Sequence, residues 1–400
     1  MKIVLAFSGG LDTSVILKWL VDKGYDVVTY TADVGQKEDF NAVKKKALEI
    51  GAEKAYVVDL KEDFLKNYVF KALKANAVYE GLYLLGTALA RPAIAKTQVE
   101  IAKAEHTTML AHGCTAKGND QVRFELTWLR FMPNVKIVAP WRDKKFLKMF
   151  KGRKDLIKYA KENGIPITAS LEKPYSVDEN LMHISYESGV LEDISKEYDM
   201  HIFKGFKVPQ KAKDKGDEVV VEFDKGIPVL LEDKENGVEK KEPLEIFTYL
   251  NHIGSENGIG MVDMVENRFI GIKSRGIYIS PAATILWKLH KDLESITLDK
   301  GVMHLKGMIS PIIGKLIYEG FWFSPEMEFL MSAVEQSQKN VSGRIHFLLY
   351  KGNIIIKKRE AEKSLYSKSL ASMDTLENFD PSSSEGFIKT LALRFKLGLI

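Results

Sequence analysis

Cysteine, long apolar runs and net charge are all scarce in this chain. Cys114 is its single cysteine. That excludes an internal disulfide and any multi-cysteine zinc site, and makes a reducing cytoplasm the simplest compartment. No window approaches the ~18 apolar residues that a membrane helix needs. The apolar start, Ile3 to Phe7, ends at Ser8-Gly9-Gly10, short of the ~7–15 residues of an export-signal core. A net charge of +4 on 400 residues is small, and a nucleic-acid footprint needs clustered basic side chains. No self-similarity at a solenoid period is found.

What is present is ample core material. At 45% hydrophobic and 400 residues, about 150 residues per domain predicts two to three domains. Over the first 165 residues two periods alternate. Short β-branched and apolar runs at 2–7, 26–32, 54–60, 107–111 and 135–139 predict strands. Between them, stripes such as Val15, Ile16, Trp19 and Leu20 predict helices. The helices are expected over 14–23, 37–50, 61–73, 86–104, 120–131 and 154–162. Repeated βα alternation predicts a parallel sheet covered on both faces, an α/β fold.

Beyond Pro166 the pattern becomes α+β. Residues 219–223 and 227–231 predict a hairpin about Asp224-Lys225-Gly226. Helices are expected over 244–253 and 282–295. The lysine-rich 204–215 stretch reads as a loop or mobile linker. Near the end, Asp380-Pro381-Ser382-Ser383-Ser384-Glu385 predicts a helix start with a hydroxyl cap and an acid in the first turn. Apolar Phe387, Ile388, Leu391 and Phe395 follow, down to Leu399 and Ile400. Such an end frays unless it docks on its own subunit or on a second one as an arm.

In a parallel sheet, ligands bind beyond the carboxyl ends of the strands. Three polar, glycine-bearing segments fall there: Ser8–Ser14, Thr31–Gln36 and His112–Asp120. The first has glycines for a tight turn and close backbone approach, then a helix whose N-terminus favours anions. It lacks Gly-Lys-Ser/Thr and is no Walker loop; nor is it Gly-x-Gly-x-x-Gly. Ser-Gly-Gly alone is also a common strand–helix turn. Asn119, Asp120 and Arg123 together fit either a cap with an i,i+3 ion pair or a ligand site. Glu266 and Tyr278 fit either a charged hairpin or a pocket. His112-x-Cys114 has too few ligands for a metal site.

Ala6-Phe7-Ser8-Gly9-Gly10-Leu11-Asp12-Thr13-Ser14 resembles the pyrophosphate loop of the N-type ATP pyrophosphatases, with their adenine nucleotide alpha hydrolase-like fold. Longer segments narrow the likeness. Tyr83–Pro92, His112–Glu125, Ala139–Arg142, Ser176–Glu187 and Val265–Tyr278 look like the argininosuccinate synthase family, nearly end to end. This resemblance implies three parts. They are a nucleotide-binding domain over 1–165, a synthetase domain over 166–362 and a C-terminal oligomerisation arm over 363–400 in a homotetramer.

The implied reaction joins L-citrulline and L-aspartate with ATP, through a citrullyl-adenylate, to give argininosuccinate, AMP and pyrophosphate. The loop from Ala6 to Ser14 would hold ATP, with backbone of Ala32 and Gly113 at the adenosine and Mg²⁺ bound with the phosphates. Citrulline would meet Tyr83, Asn119, Arg123, Ser176, Ser185, Glu266 and Tyr278. Aspartate would meet Thr115, Asn119 and Asp120. Asp12, Asp120 and Arg123 are the candidate catalytic residues, and the metal ligands stay open. The chain departs from the family at Phe7, Ala88, Cys114 and Met261. Ala88, where the family places a serine on citrulline, removes a hydrogen bond worth about 0.5–1.5 kcal/mol. Two alternatives stay open: a tRNA-modifying pyrophosphatase, and a nucleotide-binding relative that has lost turnover.

Overall fold

The computed structural model describes residues 1–166, 175–203, 205–374 and 379–398. Strands β1 (Lys2–Ala6), β2 (Asp26–Asp33), β3 (Lys54–Asp59), β4 (Met109–Ala111) and β5 (Lys136–Val138) form one sheet in the order β3-β2-β1-β4-β5. All pairings in it are parallel. Strand alternation explains the two covered faces. Ile3 and Leu5 pack with Val15, Ile16 and Trp19 of helix Leu11–Asp22. Val4 and Val28 turn the other way, toward Leu89 and Ala93 of helix Gly86–Ala104. The order reverses between β1 and β4, which leaves a crevice at their carboxyl ends.

The remaining strands are β6 (Ser176–Glu179), β7 (Ile184–Glu187), β8 (Asp217–Asp224), β9 (Ile227–Asp233), β10 (Val238–Lys240), β11 (Met261–Asn267), β12 (Lys273–Ile279), β13 (Gly343–Tyr350) and β14 (Asn353–Glu360). They make two antiparallel sheets, β11-β12-β7-β6 and β10-β9-β8-β13-β14. Helices Pro243–Glu256 and Pro281–Thr297 pack on the second of these sheets, and Lys300–Glu319 packs on Gly86–Ala104. The α/β sheet followed by an α+β region is therefore as expected.

Three local expectations change. The helix expected over 61–73 contains a π-helical turn, Leu65–Val69, which brings Leu65, Tyr68 and Val69 together into the core. The lysine-rich loop is packed rather than mobile: Phe206, Val208 and Ala212 are buried, and Lys207 N–H donates to Ser255 O at 3.1 Å. Lys204 lies outside the described residues. At the last helix, Ser382–Lys396, the cap position falls on Pro381 and no hydroxyl caps it; the carboxylate before it meets the first N–H instead. Asp380 Oδ1 accepts from Ser382 N–H at 2.9 Å. No residue of this helix is buried. Leu399 and Ile400 lie outside the described residues.

Candidate active site

The loop after β1 is shaped by glycine. Gly9 has φ 74°, and a Cβ there would stand 3.1 Å from Val43. Gly10 caps helix Leu11–Asp22 with no side-chain acceptor, so backbone N–H groups at the helix start remain free for an anion beside Asp12 of the first turn. Hydroxyls brace the turn: Ser8 Oγ and Thr13 Oγ1 are 3.1 Å apart, and Ser14 Oγ donates to Gly9 O at 3.3 Å. Lys46 Nζ donates to Gly9 O at 2.6 Å. The side chains of Phe7, Leu11 and Ser14 are buried, which leaves them backbone only for a ligand. Phe7 has both backbone groups in use, with Tyr30 O and Thr31 Oγ1. Ala6 ends β1, and Ala32 is buried in β2.

The loop after β4 meets the first one. A Cβ on Gly113 would stand 3.0 Å from Thr13 Cγ2. His112 holds this loop in place. Its Nδ1 accepts from Cys114 N–H at 3.2 Å, so its Nε2 carries the proton toward Glu125 at 2.9 Å. His112 is thus a buried support, not a ligand. At the start of helix Asp120–Phe131, Asn119 does not cap with its side chain. Its Oδ1 instead accepts from Phe269 N–H, in the β11–β12 turn, at 3.1 Å. Asp120 and Arg123 do form the i,i+3 pair, at 2.9 Å, and Arg123 also donates twice to Tyr318 O.

Opposite these loops stands the β11-β12-β7-β6 sheet. Its register aligns Ser176 with Glu187, Asp178 with Ser185, and Ser185 with Tyr278. Alternation puts these side chains on one face. Tyr278 lies over Gly276, where a Cβ would come within 2.5 Å of its hydroxyl. Its ring stacks on Tyr83 at 4.2 Å, and its hydroxyl donates to Glu266 at 3.0 Å.

Between loops and sheet lies a cavity of about 470 Å³. Asp12, Gly113, Thr115, Asn119, Asp120 and Arg123 line one side, and Tyr83, Ser176, Ser185, Glu266 and Tyr278 the other. The structure thus brings together every residue expected at citrulline and aspartate. The glycine loop borders the cavity through Asp12 rather than lining it throughout.

Other side chains here had no substrate assigned to them; in the sequence Arg91 and Arg268 stand out only as arginines in polar, glycine-bearing stretches suited to anionic ligands. Arg91 bridges the two walls, with Nε to Asp120 at 2.9 Å and Nη2 to Asp178 at 2.7 Å. Arg268 pairs with Glu187 at 3.0 Å. Thr87 Oγ1 donates to Asp178 at 3.1 Å and receives the Nε2 proton of His183 at 2.9 Å. Burial pushes His183 down to about 4, which keeps it neutral.

Charge in the cavity is unequal. Asp12, Asp120, Asp178, Glu187 and Glu266 face Arg91, Arg123 and Arg268. Burial alone would raise Asp120, but Arg91 and Arg123 outweigh it and hold the carboxyl below its ordinary value. Burial raises Asp12 against the pull of Arg153. Burial also raises Glu266. It pushes Glu187, with the added repulsion of Glu266, up to about 7 despite Arg268. Unbalanced carboxylates of this kind suit a ligand that brings an ammonium group.

Comparison with known proteins agrees with this geometry. Residues 2–166 match the model described as Arginosuccinate synthase N-terminal HUP domain. Residues 175–398 match that of the Arginosuccinate synthase C-terminal domain. The protein named argininosuccinate synthase in Thermotoga maritima is 56% identical over 99% of this chain and 97% of its own. Those of Danio rerio and Gallus gallus are 49% and 47% identical, each over 98% of this chain and 95% of their own. The parallel sheet with its switch-point loops is a HUP-type nucleotide-binding unit. The chain as a whole belongs to the argininosuccinate synthase family. Among the described residues no helix is long and apolar enough to cross a membrane.

Proposed function

We propose that the protein ligates L-citrulline to L-aspartate at the expense of ATP, the ligase step of arginine biosynthesis, in the cytoplasm. The observation that carries this reading is the cavity itself. It joins the uncapped helix end after β1 to a polar, acid-rich sheet face. The citrulline ureido oxygen attacks the α-phosphorus of ATP. An O–P bond forms, the α–β bridging bond breaks, and pyrophosphate leaves with the electron pair. The α-amino group of aspartate then attacks the ureido carbon, a proton is released, and AMP departs with the C–O bonding pair. Holding the reactants in line supplies much of the rate, and N–H groups at the Ser8–Ser14 loop meet the charge on the leaving group.

The citrulline ammonium fits the acids of the sheet face, Glu266 with Glu187 beside it. Tyr278, Tyr83, Ser176 and Ser185 serve its polar ends, and Asn119 and Arg123 the ureido side. Thr115, Asn119 and Asp120 hold aspartate; Arg91 keeps Asp120 ionised and oriented. Ala6, Ala32 and Gly113 offer backbone to the adenosine. Mg²⁺ would ride on the nucleotide. Asp12 suits it as a single protein carboxylate beside phosphate oxygens, and the described residues hold no cluster of His, Cys, Asp or Glu that would make a cage. When bound, the ion neutralises phosphate charge. The chain divides near residues 165 and 362, and the last segment is the arm of a homotetramer.

The test is turnover of labelled ATP. AMP and pyrophosphate are expected only with citrulline and aspartate both present. ADP and phosphate, or release stimulated by tRNA instead of citrulline, would overturn the reading.

A further inference from the structure

We infer that Lys46 is a direct ligand of the departing pyrophosphate, an inference that rests on the reaction proposed above and extends its anion site beyond the glycine loop. Two neighbouring groups lack a capping or paired carboxylate, although Asp12 stands in the first turn of the helix. The helix Leu11–Asp22 begins at Gly10 with no side-chain cap. Beside it, Lys46 is half-buried, and among the described residues it has no carboxylate within ion-pair distance; its Nζ rests on a neutral carbonyl, Gly9 O, at 2.6 Å. A partly desolvated ammonium without a counter-ion is unfavourable.

Lys46 is also held rather than loose. One turn earlier on helix Phe40–Ile50, Val43 is buried against Gly9. Residues three apart share a helix face, so the Val43 contact fixes Lys46 over the same loop. Its neighbours behave differently: Lys44 and Lys45 are exposed, and Lys45 pairs with Glu49 at 3.7 Å. Burial lowers the Lys46 pKa while Glu38 draws it back up, as expected of a cation short of negative partners.

An ammonium has three N–H donors, and Gly9 O takes one. The others remain for a ligand at a loop whose backbone already favours anions. When the α–β bond of ATP breaks, negative charge grows on the β-phosphate oxygens. A fixed cation there stabilises the leaving group without reorganising.

Product inhibition separates this role from simple bracing of the loop. In Lys46→Met, the inhibition constant for pyrophosphate should rise at least about tenfold, as expected for a lost charge-assisted bond. Inhibition by AMP and KM for citrulline and aspartate should stay within about twofold of the wild type. Lys46→Arg, which keeps the charge, should recover most of the pyrophosphate inhibition. Unchanged pyrophosphate inhibition overturns the inference, and so does an equal loss of AMP inhibition, which marks collapse of the loop.

A measurement on the unmodified full chain covers the case in which Lys46→Met fails to fold. Lysine acylation read by mass spectrometry should show Lys46 shielded by pyrophosphate but not by AMP. Equal labelling with and without pyrophosphate overturns the inference. A wild type that makes AMP and pyrophosphate, but whose Lys46 fails these tests, sinks Lys46 alone. A wild type that releases ADP and phosphate sinks the reaction as well.

Discussion

Glu187 sets the acid–base behaviour of the cavity. Burial first, and the charge of Glu266 second, move its carboxyl from the ordinary 4.5 to about 7. The folded chain therefore binds this proton over a pH range in which the unfolded chain has lost it. Stability from this site is full below pH 4.5 and falls as pH rises to about 7. Function runs the other way, because only the ionised carboxylate can pair with an ammonium. KM for citrulline should fall as pH rises through about 7, and Glu187→Gln should flatten that profile. A variant with the wild-type pH profile would remove Glu187 from the account. The residues expected at citrulline and aspartate, which one cavity brings together, could be named by resemblance because they lie in contiguous motifs. Arg91 and Arg268 were legible only as arginines in polar, glycine-bearing stretches, and Asp178 was not, although all three stand inside or beside those motifs. Their importance comes from register and from bridging two walls, neither of which a linear string displays. Lys46 was hidden differently, in a run of three lysines that reads as a solvated helix face.

At the scale of elements, a buried ionic knot joins helices Pro281–Thr297 and Lys300–Glu319. Glu294 and Lys306 are both buried and make a direct ion pair. Glu294 also accepts from Gln338 at 2.8 Å and from Asn76 at 2.7 Å. Removing only the cation leaves a carboxylate without its main partner, so Lys306→Met should cost about 3–5 kcal/mol. Urea unfolding reads this directly. Lys306→Met combined with Glu294→Gln should lose less than Lys306→Met alone, and an equal or larger loss would refute the electrostatic cause. Elements with one clear period were legible beforehand: helices Gly86–Ala104 and Asp120–Phe131 begin and end where their patterns do. In the β11-β12-β7-β6 sheet only a charged hairpin about Glu266 and Tyr278 was weighed, and β6 and β7 went unassigned. Its strands are short or strongly charged, as in Lys273-Ser274-Arg275 of β12, because one of their faces serves a polar cavity rather than a core. Local hydrophobic pattern cannot reveal a strand whose purpose is to be hydrophilic.

At the scale of the whole molecule, the last helix has no partner of its own. Phe387, Ile388, Leu391 and Phe395 of Ser382–Lys396 are 66%, 61%, 52% and 66% exposed. Fully burying one such side chain is worth about 1.5–3 kcal/mol, so this stripe forgoes several kcal/mol while it stands in water. Docking on its own body is the simpler way to recover that energy, yet no residue of the helix is buried against the rest of the chain. A second copy offers an identical stripe and body, and symmetric exchange of terminal segments costs little. The helix also ends in Arg394 and Lys396, which oppose the negative end of its dipole and keep it formed while it waits. A chain ending at Asp380 should therefore scatter light as a smaller species than the full-length protein at the same concentration. No residue of this arm lines the cavity, so ATP turnover per chain should survive the truncation even as assembly is lost. If the truncated chain kept the full-length mass, the arm would have to dock on its own subunit, in an arrangement different from the one described.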